Sequence, residues 1–182
     1  MLFMFLADGF EDTEAIATLD VIRRAEIDIK TVSVLNNPAV STHGVKIFAD
    51  ADDIDLKECD GIILPGGMPG TINLKNSDMV KKAIDYCVKN NLLIASICAA
   101  PSIVGSMGLL ENKNATCFPG FEKYLLGANI LDIPVVCDGN FITSKGAGAS
   151  FLFGARIVDY IKNSKTDGDN VLSQMQYNFK NE

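Results

Sequence analysis

Short, nearly continuous apolar runs alternate along the chain with segments whose apolar residues recur at helical spacing. Residues 2–7, 61–64 and 92–97 are apolar runs of this kind, and residues 29–35 are predicted as a further strand. A strand that consists of an unbroken apolar run is buried on both faces, as in a parallel sheet. The pattern therefore predicts several central strands that are buried on both faces, rather than strands with one face exposed to solvent.

Besides a helix that is expected to follow residues 92–97, three segments are predicted to be helices. Residues 13–25 place Ile16, Leu19 and Ile22 at helical spacing, with acids early and arginines late, as the helix dipole prefers. Residues 77–89 follow a capping serine, and residues 144–161 open with small residues and continue as an apolar helix. The polar tail from residue 163 is expected to add one short helix.

The remaining segments are less regular. Residues 45–48 predict a short additional strand, and residues 115–117 predict a strand end before a proline–glycine turn. Residues 135–137 and 141–143 flank an Asp-Gly-Asn triplet, which favours a β-hairpin. Residues 65–70 are predicted as a loop because they are rich in proline and glycine.

Strand–helix alternation predicts an α/β fold, a mostly parallel sheet with helices on both faces. A chain of 182 residues fits one domain, and no repeat, linker or low-complexity tract divides it. We therefore expect a single domain over residues 1–182.

Charge and composition indicate which classes of binding partner are unfavourable for this chain. The chain is 48% hydrophobic and carries 16 basic against 23 acidic residues, for a net charge of −7. This balance argues against nucleic acid or an anionic membrane as the main partner. The first residues are apolar, but they lack a basic segment and reach Asp8 too early for a signal peptide or membrane span. We expect a cytoplasmic protein.

Cys98 stands at the end of the apolar run 92–97, and Ala99, Ala100 and Pro101 follow it. Small residues permit a tight turn, and proline is tolerated in the first turn of a helix. This predicts a sharp strand–cysteine–helix turn, at the sheet edge where open α/β folds bind ligands. Unpaired N–H groups at a helix start favour a thiolate, so we expect Cys98 to be the most acidic thiol. A buried core cysteine fits the same local pattern.

The other cysteines carry no comparable signal. Cys87 lies on the apolar stripe of a predicted helix, which is typical of a core residue. Cys59, Cys117 and Cys137 lie near predicted strand ends. No C-x-x-C pair occurs and the chain has a single histidine, so the spacing predicts neither a zinc site nor another metal site. We expect five reduced thiols and no cofactor.

Two loops are expected beside Cys98 in a parallel sheet. The loop at Gly66 and Gly67 leaves a neighbouring strand, and its backbone N–H groups, with that of Ala99, could form an oxyanion hole. The loop after the first strand leads to Glu14. Taken alone, glycines in a turn and a glutamate in a first helical turn are ordinary features.

Four linked motifs together resemble the ThiJ/PfpI superfamily, and more closely its DJ-one branch. They are DGFEDTEA with DVIRRA behind it (8–15 and 20–25), LPGGMPG (64–70), ASICAAP (95–101) and ITSKGAGAS (142–150). The resemblance covers nearly the whole chain. It implies a flavodoxin-like sandwich, similar to class I glutamine amidotransferase domains, with Cys98 as the reactive cysteine and Glu14 as its carboxylate partner. It also implies a homodimer.

The chain departs from that family at two positions. Ala99 stands where the peptidase-like branch has a histidine, which counts against a Cys-His protease. Phe118, before Pro119, stands where the DJ-one branch often has a histidine. His43 lies near where relatives can place an arginine beside the pocket, although a solvated loop histidine fits the position better. The predicted unit is a Cys98–Glu14 dyad flanked by His43, Phe118 and Pro119.

A cysteine next to a shielded glutamate suits chemistry on reactive carbonyls. The glutamate should have a raised pKa, so it can donate a proton while the thiolate attacks an aldehyde. The resemblance implies glyoxalase III- or deglycase-like stress protection, acting on 2-oxoaldehydes or on glycated protein. The alternative is a redox sensor whose cysteine is oxidised to sulfinate without turnover. A cysteine peptidase-like hydrolase and a chaperone-like dimer are further alternatives.

Overall fold

The computed structural model describes residues 1–177 of the chain. The strands are β1 (Leu2–Leu6), β2 (Ile29–Ser33), β3 (Ala39–Val40), β4 (Lys46–Ile47), β5 (Gly61–Leu64), β6 (Leu93–Ile97), β7 (Asn114–Ala115), β8 (Asn129–Ile130), β9 (Val135–Asp138) and β10 (Phe141–Ser144). The helices are α1 (Asp12–Arg24), α2 (Gly70–Asn76), α3 (Asp78–Asn90), α4 (Pro101–Ser106), α5 (Ser150–Ile161) and α6 (Asp167–Gln174). The predicted α/β fold is confirmed.

The central sheet has the strand order β2-β1-β5-β6-β10-β9. All neighbours are parallel except the β9–β10 hairpin, which forms at the predicted Asp-Gly-Asn turn. The parallel strands thus follow the flavodoxin order, in which ligands bind at the carboxyl ends of the strands around the reversal between the first and third. In this chain that reversal lies between β1 and β5.

Helices cover both faces of the sheet, which explains the unbroken apolar strands. On β1, Leu2, Met4 and Leu6 face a core formed with α1, α5 and α6. Phe3 and Phe5 face the opposite core, formed with α2, α3 and α4. Side chains alternate between the faces of a strand, so burial on both faces requires apolar residues at every position.

The buried face of α1 matches the predicted stripe at Ile22 and at Leu19, which packs against the same core, but not at Ile16. Ile16 is 43% exposed, whereas Ala15, Val21 and Ile22 are buried. The reason is close packing against α5, where a Cβ on Gly154 would lie 2.9 Å from the Cβ of Val21. Small residues let the two helices approach, so Ala15 and Val21, rather than Ile16, join Ile22 on the buried face.

Other boundaries also differ from the predictions. Helix α2 begins at Gly70, the last residue of the predicted loop, and continues over residues for which no helix was predicted; β-branched Thr71 and Ile72 are modest helix formers, so propensity did not reveal it. The predicted helix 144–161 begins only at Ser150, and a loop runs from β10 through Lys145 and Gly146. The two-residue strands β3 and β8 had no local signal. Among residues 1–177, no helix combines the length and apolarity needed to cross a membrane.

Candidate functional site

Cys98 occupies the sharp turn that the sequence predicted between β6 and α4. Its φ of +64° lies in the left-handed region, which non-glycine residues seldom adopt. The turn is fixed on both sides: the Cys98 N–H donates to the Ser144 carbonyl, and the Phe118 N–H donates to the Cys98 carbonyl, each at 2.9 Å. The half-buried thiol is therefore held on a rigid support at the carboxyl edge of the sheet.

Glu14 reaches the same point from the first turn of α1. The Glu11 side chain caps this helix by accepting a hydrogen bond from the Glu14 N–H at 2.7 Å. The Glu14 residue is 1% exposed, and its Oε2 accepts a hydrogen bond from the Gly66 N–H at 2.8 Å. Its carboxyl group is also hydrogen-bonded to the Cys98 thiol. Three loops, after β1, β5 and β6, thus meet at one carboxyl group.

Gly66 allows this close approach. A Cβ at Gly66 would lie 2.6 Å from Glu14 Oε2 and 2.7 Å from the Cys98 Cβ, distances that no side chain tolerates. The Gly66 N–H is committed to Glu14, whereas the N–H groups of Gly67 and Ala99 donate to the Cys98 sulfur. Of the three predicted backbone donors, two therefore face the Cys98 sulfur, and the third is hydrogen-bonded to Glu14.

Burial dominates the titration of the pair. It raises the pKa of Glu14 to about 7, against the lowering effect of the hydrogen bonds from Cys98 and Gly66. Burial, and then the charge and hydrogen bond of Glu14, raise the pKa of Cys98 to about 12. The expectation that Cys98 is the most acidic thiol is wrong, because desolvation and a neighbouring carboxylate outweigh the N–H groups of Gly67 and Ala99.

The two groups are best described as one titrating unit. Between pH values of about 7 and about 12 the pair carries one proton and one negative charge. The charge can sit on the carboxylate, held by Gly66, or on the sulfur, held by Gly67 and Ala99. A thiolate beside a protonated carboxyl group is thus a tautomer of the pair, and no additional base is needed to form it.

A cleft of about 460 Å³ opens beside the dyad. Phe118, Pro119, Lys145 and Gly146 line it, together with Pro134 and residues 147–149. A Cβ on Gly146 would lie 3.8 Å from Glu14 Oε1 and 3.9 Å from the Cys98 sulfur, so Gly146 forms the wall that separates the cleft from the reactive atoms. Sequence reasoning missed this wall. The sequence signal for this wall was Gly146 itself, the glycine after β10, but the prediction assigned it to a helix.

His43 lies apart from this cleft. Its side chain is 72% exposed, and its Nδ1 lies 2.8 Å from Asp12 Oδ2, whereas Asp12 Oδ1 accepts a hydrogen bond from the Ser41 hydroxyl. Although burial opposes it, these hydrogen bonds lower the pKa of Asp12. Within residues 1–177, Glu11, Asp12 and His43 form the group with ligand atoms close enough for a metal ion, within 4.8 Å of one another. Sequence spacing did not indicate this grouping.

Comparison with known proteins places these features in context. A profile of the DJ-1/PfpI family matches residues 2–160. The chain is 38% identical to the protein DJ-1 homolog B of Arabidopsis thaliana over 86% of its own length. It spans only 37% of that protein, and 41% of DJ-1 homolog A from the same plant.

Two other similar proteins match the chain over most of both lengths. The chain is 33% identical to a glutathione-independent glyoxalase DJ-1 of Schizosaccharomyces pombe, over 87% of this chain and 89% of that protein. The crystal structure of a DJ-1 superfamily protein from Salmonella typhimurium superposes with a TM-score of 0.88, at 30% identity and 98% coverage of both chains. The likeness therefore extends to the whole sheet and the helices that cover it.

Proposed function

The chain belongs to the DJ-1/PfpI family, and we propose that it is a cysteine-dependent protective enzyme acting on 2-oxoaldehydes or on their early adducts with protein amines and thiols. The observation that carries the proposal is the buried hydrogen-bonded pair of Glu14 and Cys98. A relative with 33% identity is named a glutathione-independent glyoxalase, which supports the same class of chemistry.

The first step proposed is addition of the thiol to the aldehyde. The Cys98 sulfur attacks the aldehyde carbon, the carbonyl π-bond breaks, and the oxygen takes a proton from Glu14. The product is a hemithioacetal, and Glu14 is left as a carboxylate. The Gly66 N–H stabilises that carboxylate, because it donates to Oε2 at 2.8 Å. The negative charge moves from the Cys98 sulfur to the Glu14 carboxylate, so the net charge of the site does not change.

The second step proposed moves a proton between adjacent carbons. The Glu14 carboxylate removes the proton from the former aldehyde carbon and returns it to the neighbouring ketone carbon, with the hydroxyl proton passing to the ketone oxygen. The hemithioacetal becomes a thioester of a 2-hydroxy acid. Water then hydrolyses the thioester, releasing the hydroxy acid and restoring Cys98. The overall change is addition of one water, with no external oxidant or reductant.

A redox sensor is the second candidate. The Cys98 sulfur is half-buried, and it lies against the N–H groups of Gly67 and Ala99 and the Glu14 carboxyl group. A protonated carboxyl group and two N–H donors can hold the oxygens of a sulfinate. The same atoms support both functions, so only turnover separates them.

The deciding experiment measures consumption of methylglyoxal, glyoxal and a glycated peptide by pure protein. We expect turnover by the wild type and by Cys137→Ser, which removes an exposed thiol on β9, and none by Cys98→Ser. Turnover that persists in Cys98→Ser contradicts the mechanism. Absence of Cys98-dependent turnover on all three substrates leaves the sensor as the function.

A homodimer and a cytoplasmic location complete the proposal. The homodimer is supported by the likeness to the DJ-one branch. Light scattering on a sizing column tests the first, because a dimer has a mass of about 39 kDa against 19.6 kDa for one chain.

A further inference from the structure

Two cysteines outside the Cys98 site lie in contact. The sulfur atoms of Cys59 and Cys87 are 3.8 Å apart within the core between the sheet and α3. Cys59 ends the short 3-10 turn Leu56–Glu58 and precedes β5, whereas Cys87 belongs to the last turns of α3. Cys59 therefore stands at the amino edge of the sheet and Cys98 at the carboxyl edge, so the two sites are on opposite edges.

The environments of the two sulfurs differ. Cys87 is wholly buried, and Cys59 is 5% exposed below a turn whose own residues are accessible. The two thiols share a hydrogen bond in which either sulfur can be the donor, and the Cys59 sulfur also accepts one from the Gly61 N–H; both contacts lower the pKa of Cys59 against the opposing effect of burial. The hydrogen bond to Cys59, together with burial, raises the pKa of Cys87. Because Cys59 is the less buried of the two and has the Gly61 N–H beside its sulfur, we expect it to react first.

We propose that Cys59 and Cys87 form a second oxidation site, independent of Cys98, in which a peroxide converts the contacting thiols into an intramolecular disulfide. The proposal rests on the sulfur–sulfur contact and on the unequal surroundings of the two thiols. It does not depend on the proposed function of the Cys98 site.

The chemistry balances with hydrogen peroxide as the oxidant. The Cys59 thiolate attacks one peroxide oxygen, the O–O bond breaks, and a sulfenic acid forms with release of hydroxide, which is protonated to water. The Cys87 sulfur then attacks the Cys59 sulfur, the S–O bond breaks, and a second water leaves with the thiol proton. Two thiols lose two electrons and two protons, and one peroxide becomes two waters.

The fold can accommodate the new bond. A disulfide needs its sulfurs about 2.05 Å apart, so the 3.8 Å contact must shorten. Cys87 is fixed in a 13-residue helix, whereas Cys59 follows an exposed turn of three residues that can shift toward it.

The test uses the Cys98→Ser protein, which keeps four cysteines and removes the competing site. The protein is treated with excess hydrogen peroxide, quenched, unfolded, alkylated and digested with trypsin without reduction. We expect a linked pair of peptides, 58–75 and 83–89, with a mass about 2 Da below their sum. Titratable thiols should fall from four to two, and dithiothreitol should restore them.

Matched variants separate this site from general oxidation. Cys117→Ser in the same background removes another buried thiol and should keep the link. Cys87→Ser should abolish the link and leave Cys59 as a sulfenic acid that dimedone traps. Unmodified Cys59 and Cys87 at a peroxide dose that converts Cys98 in the wild type would overturn the proposal. So would conversion of Cys59 to sulfinate without any linked peptide in the Cys98→Ser protein.

Discussion

The Glu14 carboxyl group is hydrogen-bonded to the Cys98 thiol, although Glu14 follows β1 and Cys98 follows β6. The two strands are not neighbours; β5 lies between them, and the loop after it supplies Gly66, whose N–H donates to Oε2 of the carboxyl group. Because both groups are desolvated together, they titrate as a pair. The chemistry we propose follows from this shared proton.

Replacing Glu14 by glutamine should separate turnover from oxidation. The amide can still donate a hydrogen bond to the Cys98 sulfur but cannot transfer a proton. Because a positioned acid–base group contributes about 10²–10⁴-fold, turnover of methylglyoxal should fall by that factor. Peroxide should still convert Cys98 to sulfinate, as measured by peptide mass.

The control for this variant is Glu111→Gln, which removes an exposed carboxylate and should leave both measurements unchanged. Wild-type turnover in Glu14→Gln would exclude proton transfer by Glu14. Loss of both turnover and sulfinate formation would point to a collapsed site instead.

The raised pKa of Glu14 also predicts a pH-dependent stability. The folded protein holds this proton up to a pH of about 7, and the unfolded chain releases it near 4.5. The stabilising contribution is therefore complete below pH 4.5 and is lost as the pH rises through about 7. Between these limits the free energy of unfolding of the wild type should fall by up to about 3 kcal/mol relative to Glu14→Gln. Urea unfolding of both proteins across this pH range measures the difference. If the free energy of unfolding changes equally with pH in the two proteins, the raised pKa of Glu14 is contradicted.

Much of the fold could be predicted because its strongest signals are local. Burial of β1, β5 and β6 on both faces demands uninterrupted apolar residues, and Ser77 and Pro101 mark helix starts by their own chemistry. Helix α2 and the two-residue strands β3 and β8 depend on partners elsewhere in the chain, so no local pattern predicts them.

The candidate site was predictable only in part, for a related reason. The turn at Cys98 is encoded by its neighbours, but the acidity of the thiol depends on desolvation and on Glu14, which arrive with the tertiary fold. The same holds for the wall at Gly146 and for the contact between Cys59 and Cys87. Each joins residues that are distant in the chain.

Gly146 offers a steric test of the cleft. Its φ of 161° is extended backbone that alanine can adopt, and a Cβ there would be in van der Waals contact with Glu14 and Cys98. Gly146→Ala should preserve the fold and slow both methylglyoxal turnover and alkylation of Cys98 by about tenfold, a cost of about 1.4 kcal/mol in access to the sulfur. Gly148→Ala, where a Cβ meets nothing within 4 Å, should leave both rates unchanged. Equal rates in the two variants would show that substrate enters by another route.

Phe118 offers a test of the missing histidine. Phe118 lines the cleft beside Gly146 and is 47% exposed, so an imidazole at this position would lie in the cleft next to the wall that covers the dyad. If the protein is an enzyme, Phe118→His should raise methylglyoxal turnover, because a second proton carrier joins Glu14. Phe118→Leu should not raise it. Equal turnover in the two variants would mean that the dyad works without help from this side of the cleft.

The pH dependence of kcat/KM for methylglyoxal tests the shared proton most directly. In the wild type, kcat/KM should rise as the pH passes through about 7, where the pair loses its first proton and gains the charge that the sulfur can carry. In Glu14→Gln that step near pH 7 should disappear, and the remaining activity should rise only at the higher pH where the Cys98 thiol ionises alone. A step near pH 7 that is identical in both proteins would contradict the account.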